Sequence, residues 1–218
     1  MSASSDRPIL VLGTRTFAEH VADVIDETPG YRVAGFVENM DRDRCATPLL
    51  GLPVYWIDDI APLARTHAAV CALSTTLRSR FTDQAAALGM PFATVIHPSA
   101  HVSRKSTVGE GSIVSVGAII AAYTHIGRHV IVSRGAGIGH HTVIGDYVTI
   151  QPGANVAGAC HIGQAAYIGI GATVIDKLTI GEHSTVGAGA VVVRDVPPHV
   201  TVVGVPPRII KRPAPSGE

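Results

Sequence analysis

The chain has 218 residues, enough for one large domain or two small ones, and is 46% hydrophobic, 5% aromatic and 16% charged, so its core must be built from aliphatic side chains rather than rings. Seventeen Lys and Arg balance seventeen Asp and Glu, which argues against nucleic acid or an anionic membrane surface as a partner. Three scattered cysteines, Cys45, Cys71 and Cys160, suit neither a disulfide framework nor a zinc site, and the apolar run Ile9 to Leu12 is too short for a signal peptide or a span, so a soluble, cytoplasmic protein with no membrane insertion is expected.

In chain order, Ile9-Leu10-Val11-Leu12 predicts a buried strand that ends at Gly13. Phe17 to Glu27 predicts a helix with Phe17, Val21, Val24 and Ile25 on one face. Tyr31 to Val37 predicts a second strand, His67 to Leu73 a third, Leu77 to Leu88 a helix, and Phe92 to Ile96 a last strand. Strand–helix alternation of this kind predicts a small parallel α/β sheet over residues 1–95. Gly13, after a strand and before a helix, stands where a phosphate would meet a helix N-terminus. The residues that follow are Thr14, Arg15, Thr16, Phe17 and Ala18. With no second or third glycine the dinucleotide fingerprint is missing, and NAD is not expected. A plain turn and a ligand loop of Gly13, Thr14 and Arg15 are equally good readings of this stretch. Glu38 and Asn39, past the second strand, read either as acceptors for a ribose or sugar hydroxyl or as a solvated turn.

From Ile96 the pattern changes. Stepping by six gives Val102, Val108, Val114, Ile120, Ile126, Val132, Ile138, Ile144, Ile150, Val156, Ile162, Ile168, Val174, Ile180, Val186 and Val192, seventeen consecutive Ile or Val positions. The residue two places earlier is nearly always small, as at Ala118, Ala136, Ala154, Cys160 and Ala172. A period of 18 overlies this, with Gly109, Gly127, Gly145, Gly163 and Gly181 each following the aliphatic residue. Period six fits neither a helix nor an alternating strand. It fits a left-handed parallel β-helix over residues 96–196, three short segments per 18-residue coil. Each aliphatic side chain is expected to point inward at a corner, with the glycine after it relaxing the backbone there. The inner column alone falls short of the entropy cost of ordering so much chain, so packing between subunits, and hence a homo-oligomer, is expected. Residues 197–218, rich in proline with Arg208, Lys211 and Arg212, read as a tail that caps the last coil and covers its open edge.

Several motifs complete the pattern: His97-Pro98-Ser99-Ala100, Ile138-Gly139-His140-His141-Thr142-Val143-Ile144-Gly145-Asp146, Pro152-Gly153-Ala154-Asn155-Val156-Ala157-Gly158, Val186-Gly187-Ala188-Gly189-Ala190-Val191-Val192 and Val203-Gly204-Val205-Pro206. In these the chain resembles the bacterial sugar O- and N-acyltransferases of the sialic-acid O-acetyltransferase and bacillosamine N-acetyltransferase type, within the hexapeptide-repeat superfamily. That resemblance implies a homotrimer in which an α/β, Rossmann-like domain binds a nucleotide-linked amino sugar through Gly13, Thr14, Arg15, Glu38 and Asn39. It implies an all-β helix that binds acetyl-CoA between subunits, with cofactor contacts at Thr149, Gly158, Ile170, Ala188 and Arg208. It places His140 where the family's general base stands, with His141 in place of the usual acidic neighbour. Thr149 replaces a family histidine near the acetyl group. Thr16-Phe17-Ala18 replaces the end of the family's glycine-rich loop.

Eleven histidines raise the question of a metal. The gamma-class carbonic anhydrases share this coil and bind zinc through histidines. Of their spacing, His125 and His161 are present but the third position is Ala166. Two coils would also hold His125 and His161 roughly 10 Å apart. No metal is expected, and His129, His161 and His183 read as outward-facing or interface residues. Cys160, in the small-residue column, reads as packing and not as a nucleophile. The leading expectation is an acetyl-CoA-dependent N-acetyltransferase acting by direct transfer. Sugar O-acetylation, a longer acyl chain and an inactive trimeric scaffold stand as alternatives.

Overall fold

A computed structural model describes residues 6–211. The first third is a parallel four-stranded sheet in the order β3-β2-β1-β4. Its strands are β1 (Arg7–Leu12), β2 (Tyr31–Glu38), β3 (Val54–Trp56) and β4 (Ala68–Cys71). Helix α1 (Thr16–Asp26) joins β1 to β2, and α2 (Ser79–Ala87) follows β4 after a short 3-10 turn over Thr76–Arg78. Four consecutive residues of β1, Ile9 to Leu12, are fully buried because both faces of the sheet are covered. α1 covers one face with Ala18, Val21, Ala22, Val24 and Ile25, while Phe81 and Ala85 of α2 join Leu10, Leu12 and Val37 on the other. Two sequence expectations change here. β3 was not anticipated, because Val54–Trp56 is only three residues long and lies between 3-10 turns. The expected strand Phe92 to Ile96 shrinks to Val95–Ile96, with one isolated bridge from Phe92 to Ala69.

From Val95 the chain winds as a left-handed parallel β-helix of two-residue strands in three sheets. Strands one coil apart pair in register at a spacing of 18, as His125 with Val143, Ile131 with Thr149 and Gly137 with Asn155. The second residue of each strand points inward: Val132, Ile150, Val156, Ile162, Ile168 and Val174 are all fully buried. This corrects the expected placement of the aliphatic residues. They lie on the flat strands, and the two residues of each turn, such as Arg128–His129, Arg134–Gly135 and His140–His141, make the corners.

The glycines after the inner residues have a different reason from the one expected. Gly109, Gly127, Gly145, Gly163 and Gly181 are absent from the left-handed backbone region. A Cβ on Gly163 would lie 2.5 Å from the backbone nitrogen of Glu182, and one on Gly145 would lie 2.7 Å from that of Gln164. Those glycines let successive coils approach; they do not free the turn. The left-handed residue is instead the second of each corner, and at two of the three corners it is often not glycine: Tyr123, His141, Ala159 and Lys177 at one, His129, Tyr147, Ala165 and His183 at another.

The α/β lobe rests on the first face of the rod. Val95, Ile113 and Ile131, the outward residues of three stacked strands, share one apolar cluster with α1 and β1. Arg78 locks the joint. Fully buried, it donates to the carbonyl oxygen of His129 through Nε at 2.9 Å and Nη2 at 2.6 Å, to the Val148 carbonyl at 2.9 Å and to Thr149 Oγ1 at 2.9 Å. Burial pulls its pKa down to about 10, which leaves it cationic at neutral pH. At the other end of the joint His97 Nε2 meets Glu27 Oε2 at 2.6 Å. Arg208–Lys211 pairs antiparallel with Thr201–Val203 and closes the edge of the first face. Arg212 and the rest of the tail lie outside the described residues. Among the described residues no helix is long and apolar enough to cross a membrane.

Candidate active site

The carboxyl ends of β1 and β2, where open parallel sheets hold ligands, form the rim of a cleft of about 390 Å³ lined by Thr14, Asp41, Asp43, Arg44, Thr47 and Leu49. Gly13 has φ +130, and a Cβ there would come within 3.2 Å of the Ala72 carbonyl oxygen, so the tight exit from β1 requires glycine. Thr14 donates its hydroxyl to Glu38 Oε2. The other oxygen of Glu38 accepts the backbone N–H groups of Asn39 and Met40, each at 2.9 Å. Burial alone would raise the Glu38 pKa, but the bonds from Thr14, Met40 and Asn39 outweigh it and hold the carboxyl below its ordinary value. Glu38, expected as an acceptor for a ligand hydroxyl, is thus only 8% exposed and braces the Thr14 loop with three internal bonds. Asn39 is turned to α2, donating to Gln84 Oε1 at 2.7 Å. Arg15 stands exposed at the start of α1. Arg44, which no periodicity singles out, donates to the Thr14 carbonyl at 3.1 Å and pairs with Asp41 at 3.5 Å. It supplies the cation of this cleft.

A second cleft, of about 430 Å³, separates the lobes. Thr16, Phe17 and His20 of α1 line one wall, and Arg134, Gln151, Tyr167 and Ile170 of the rod line the other. Ile170 is 58% exposed. Ala188 lies one coil further along the same corner, also exposed.

His140 and His141 form a different corner, and both are exposed. The His140 ring lies on the next coil: a Cβ on Gly158 would sit 2.8 Å from its Cε1 and 2.9 Å from its Nε2. Glycine at 158 is what leaves room for that ring. His140 Nδ1 lies 3.0 Å from His141 Nδ1, and Tyr123 from the preceding coil packs 4.8 Å from His141. The expected site residues therefore fall on two corners of one chain, His140, His141 and Gly158 on one and Ile170 and Ala188 on another. Arg208 is exposed at the far end.

Two expectations need correction. Thr149 is fully buried and engaged by Arg78, so it ties the lobes together and presents no surface to a cofactor. His129 is not outward-facing: it is 7% exposed, stacked 5.1 Å from Tyr147 and edge-on to Phe92 at 4.6 Å. Burial, then the charges of Arg78 and Arg128, press its pKa down to about 4. Arg78 itself escaped the sequence reading, since a lone arginine at a helix start carries no signal of burial. Cys160 is 2% exposed and donates its thiol to the Ile175 carbonyl at 3.2 Å, and burial raises its pKa. Neither property suits a nucleophile.

Residues 123–158 and 159–194 match the bacterial transferase hexapeptide family (six repeats). No curated protein matches the sequence. Among solved structures, a perosamine N-acetyltransferase from Caulobacter crescentus, in complex with CoA and GDP-perosamine, is 33% identical, with TM-score 0.86 over 94% of this chain and 97% of that one. The acetyltransferase domain of PglB from Neisseria gonorrhoeae, in complex with acetyl coenzyme A, is 30% identical, with TM-score 0.86 over 94% of this chain and 100% of that one. WeeI from Acinetobacter baumannii is 30% identical, with TM-score 0.85 over 93% and 99%.

Proposed function

This chain belongs to the bacterial sugar acyltransferases of the hexapeptide-repeat type, and we propose that it transfers the acetyl group of acetyl-CoA to the amine of a nucleotide-linked amino sugar, with His140 as general base. Support for the transfer comes from similar proteins that bind CoA together with GDP-perosamine, or acetyl coenzyme A. The observation that carries the role of His140 is its ring, exposed at a corner with Nε2 laid along the backbone of Gly158.

In this reading the sugar nitrogen attacks the thioester carbonyl carbon. The C–N bond forms, the C–S bond breaks, and the proton lost by nitrogen passes to His140 Nε2. The departing thiolate of CoA then takes a proton back from the imidazolium. Imidazole suits both steps because its ordinary pKa lies near neutrality. The cleft of the α/β lobe, the cleft between the lobes and the His140 corner are lined by different residues of one chain. A homotrimer would bring them together, setting the His140 corner of one subunit against the Ile170 corner and α/β lobe of the next. Gly158, Ile170 and Ala188 would then border CoA from two subunits, chiefly through backbone, and the cleft of Thr14 and Arg44 would take the nucleotide.

The test is thiol release from acetyl-CoA against a panel of nucleotide-linked amino sugars differing in base and in amine position. His140→Ala should lower kcat by about 10²–10⁴ while acetyl-CoA binding survives. Unchanged turnover in the variant would remove His140 from its role and keep the transferase. Acetyl-CoA binding with no turnover on any amino sugar would overturn the acceptor.

A further inference from the structure

We infer that His141 is a positioning residue for His140: it accepts the Nδ1 proton of His140 and so holds His140 in the tautomer whose Nε2 is free to take the substrate's proton. This rests on the reading of His140 as the base. The Nδ1 atoms of the two rings are 3.0 Å apart, and the rings are nearly perpendicular at 86°, the geometry of an edge contact and not a stack. Between neutral imidazoles such a contact needs one donor and one acceptor. Were His140 the acceptor, its single proton would occupy Nε2, the atom that lies along Gly158, and the base would be blocked. The productive arrangement requires His140 to donate and His141 to accept.

The corner fixes the acceptor. The N–H of His141 donates to the Ala122 carbonyl at 3.0 Å, and the His140 carbonyl accepts from Ala159 at 2.7 Å. Tyr123 lies against the His141 ring at 34°. His141 holds φ +57, as Ala159 does one coil later and Lys177 holds φ +61 two coils later, so this conformation belongs to the corner and alanine tolerates it. Few charges face the pair. Tyr123 lies on one side, with Arg104 and Lys105 a further coil away by the repeat. Gly158 and Ala159 lie on the other, and beyond them Asp176 and Lys177 already pair with each other at 3.5 Å. A neutral acceptor therefore orients His140 without the charge that a carboxylate would add.

One consequence separates this from a merely structural role. A protonated His141 has no lone pair on Nδ1, so acid disables the base twice, once at each ring, as a coupled pair. The acidic limb of log kcat against pH should steepen by one further unit of slope in the wild type relative to His141→Ala. The substrate amine titrates alike in both and cancels. His141→Ala should lower kcat on the order of tenfold with little change in KM for acetyl-CoA. His141→Asn, whose amide oxygen can accept the same proton, should recover part of that loss. Independently of turnover, nitrogen-15 NMR of the imidazoles in the full-length protein, assigned by single substitution, should find His140 protonated at Nδ1 in the wild type. In His141→Ala it should show a mixture of tautomers. A His140 tautomer identical in wild type and His141→Ala would overturn the proposal even if the enzyme is active. A shift of tautomer without turnover on any sugar would sustain it and count against the proposed reaction instead.

Discussion

Replacing His129 with asparagine is expected to flatten the acid side of the stability curve. The imidazole lies between Phe92 and Tyr147, the backbone carbonyl of His129 accepts from Arg78, and the pKa of the ring falls from 6.5 to about 4, first through burial and then through Arg78 and Arg128. The folded state therefore keeps this ring neutral where the unfolded chain protonates it. Stability from this group is fully present above pH 6.5 and is lost as pH falls toward 4. Between ~pH 7.5 and ~pH 5 the linkage integral comes to about 2 kcal/mol. For a chain of this size that corresponds to a fall of about 4–8 °C in midpoint. Asparagine tolerates the left-handed backbone at this corner, φ +54, and does not titrate. It should be less stable at neutral pH, having lost the ring contacts, but its midpoint should drop less between the two pH values. Calorimetric or circular dichroism melts of wild type and His129→Asn at both pH values measure the difference directly. Parallel pH dependence in the two proteins would refute the account, placing the acid sensitivity at another group; Glu38 is not that group, because its lowered pKa acts only at more acidic pH.

Two further outcomes test the joint and the coil spacing. Arg78→Leu removes the donors that serve the His129 and Val148 carbonyls and Thr149. It should cost about 3–5 kcal/mol in chemical denaturation, with faster amide exchange at the lobe interface than in the distant coils. Gly163→Ala sets a Cβ 2.5 Å from the Glu182 nitrogen and should cost at least about 1–3 kcal/mol. Gly153→Ala, whose Cβ would meet open space at φ +67, should cost only about 1–2 kcal/mol in the same melt.

The rod is legible in the sequence because each coil repeats the same demand. One inward position every six residues must be β-branched and apolar, and seventeen repetitions leave no other period. The reason for the glycines was not legible, since Gly127 or Gly163 looks alike whether it frees a turn or makes room for the next coil, and only the distance to the neighbouring backbone tells them apart. Short strands such as Val54–Trp56 carry too little pattern to stand out between turns. Arg78 and Thr149 were illegible for a related reason. Their partnership spans 71 residues, and a charged residue announces neither its burial nor its distant acceptor. Thr149 also occupies a position whose counterparts Ile113 and Ile131 face the α/β lobe, so its burial follows from which face the lobe covers, a fact with no local trace. At the site, His140 could be singled out by motif, but its contact with His141 depends on how two adjacent corner residues turn their rings.

Such a rod accommodates changes in its chemistry at its corners. A corner residue meets neighbours at fixed steps of 18, so its surroundings form a column: Tyr123, His141, Ala159 and Lys177 on one line, Ala122, His140, Gly158 and Asp176 on the next. The backbone bonds that set the column, such as His141 to Ala122 and Ala159 to His140, involve main-chain atoms alone. A side chain there can change without moving the frame, because the coil's stability resides in the inner residues and the inter-coil ladder. On the proposed mechanism a histidine can therefore stand where a carboxylate would, keeping the hydrogen bond that orients the base and giving up only the negative charge. The cost falls on the protonated base, which loses electrostatic support, and not on the fold. A His141→Asp variant should return that support and move the acidic limb of the rate profile to higher pH while leaving the thermal midpoint close to that of wild type. A large loss of stability in that variant would mean that the corner side chains hold up the rod, contrary to the division of labour argued from its geometry.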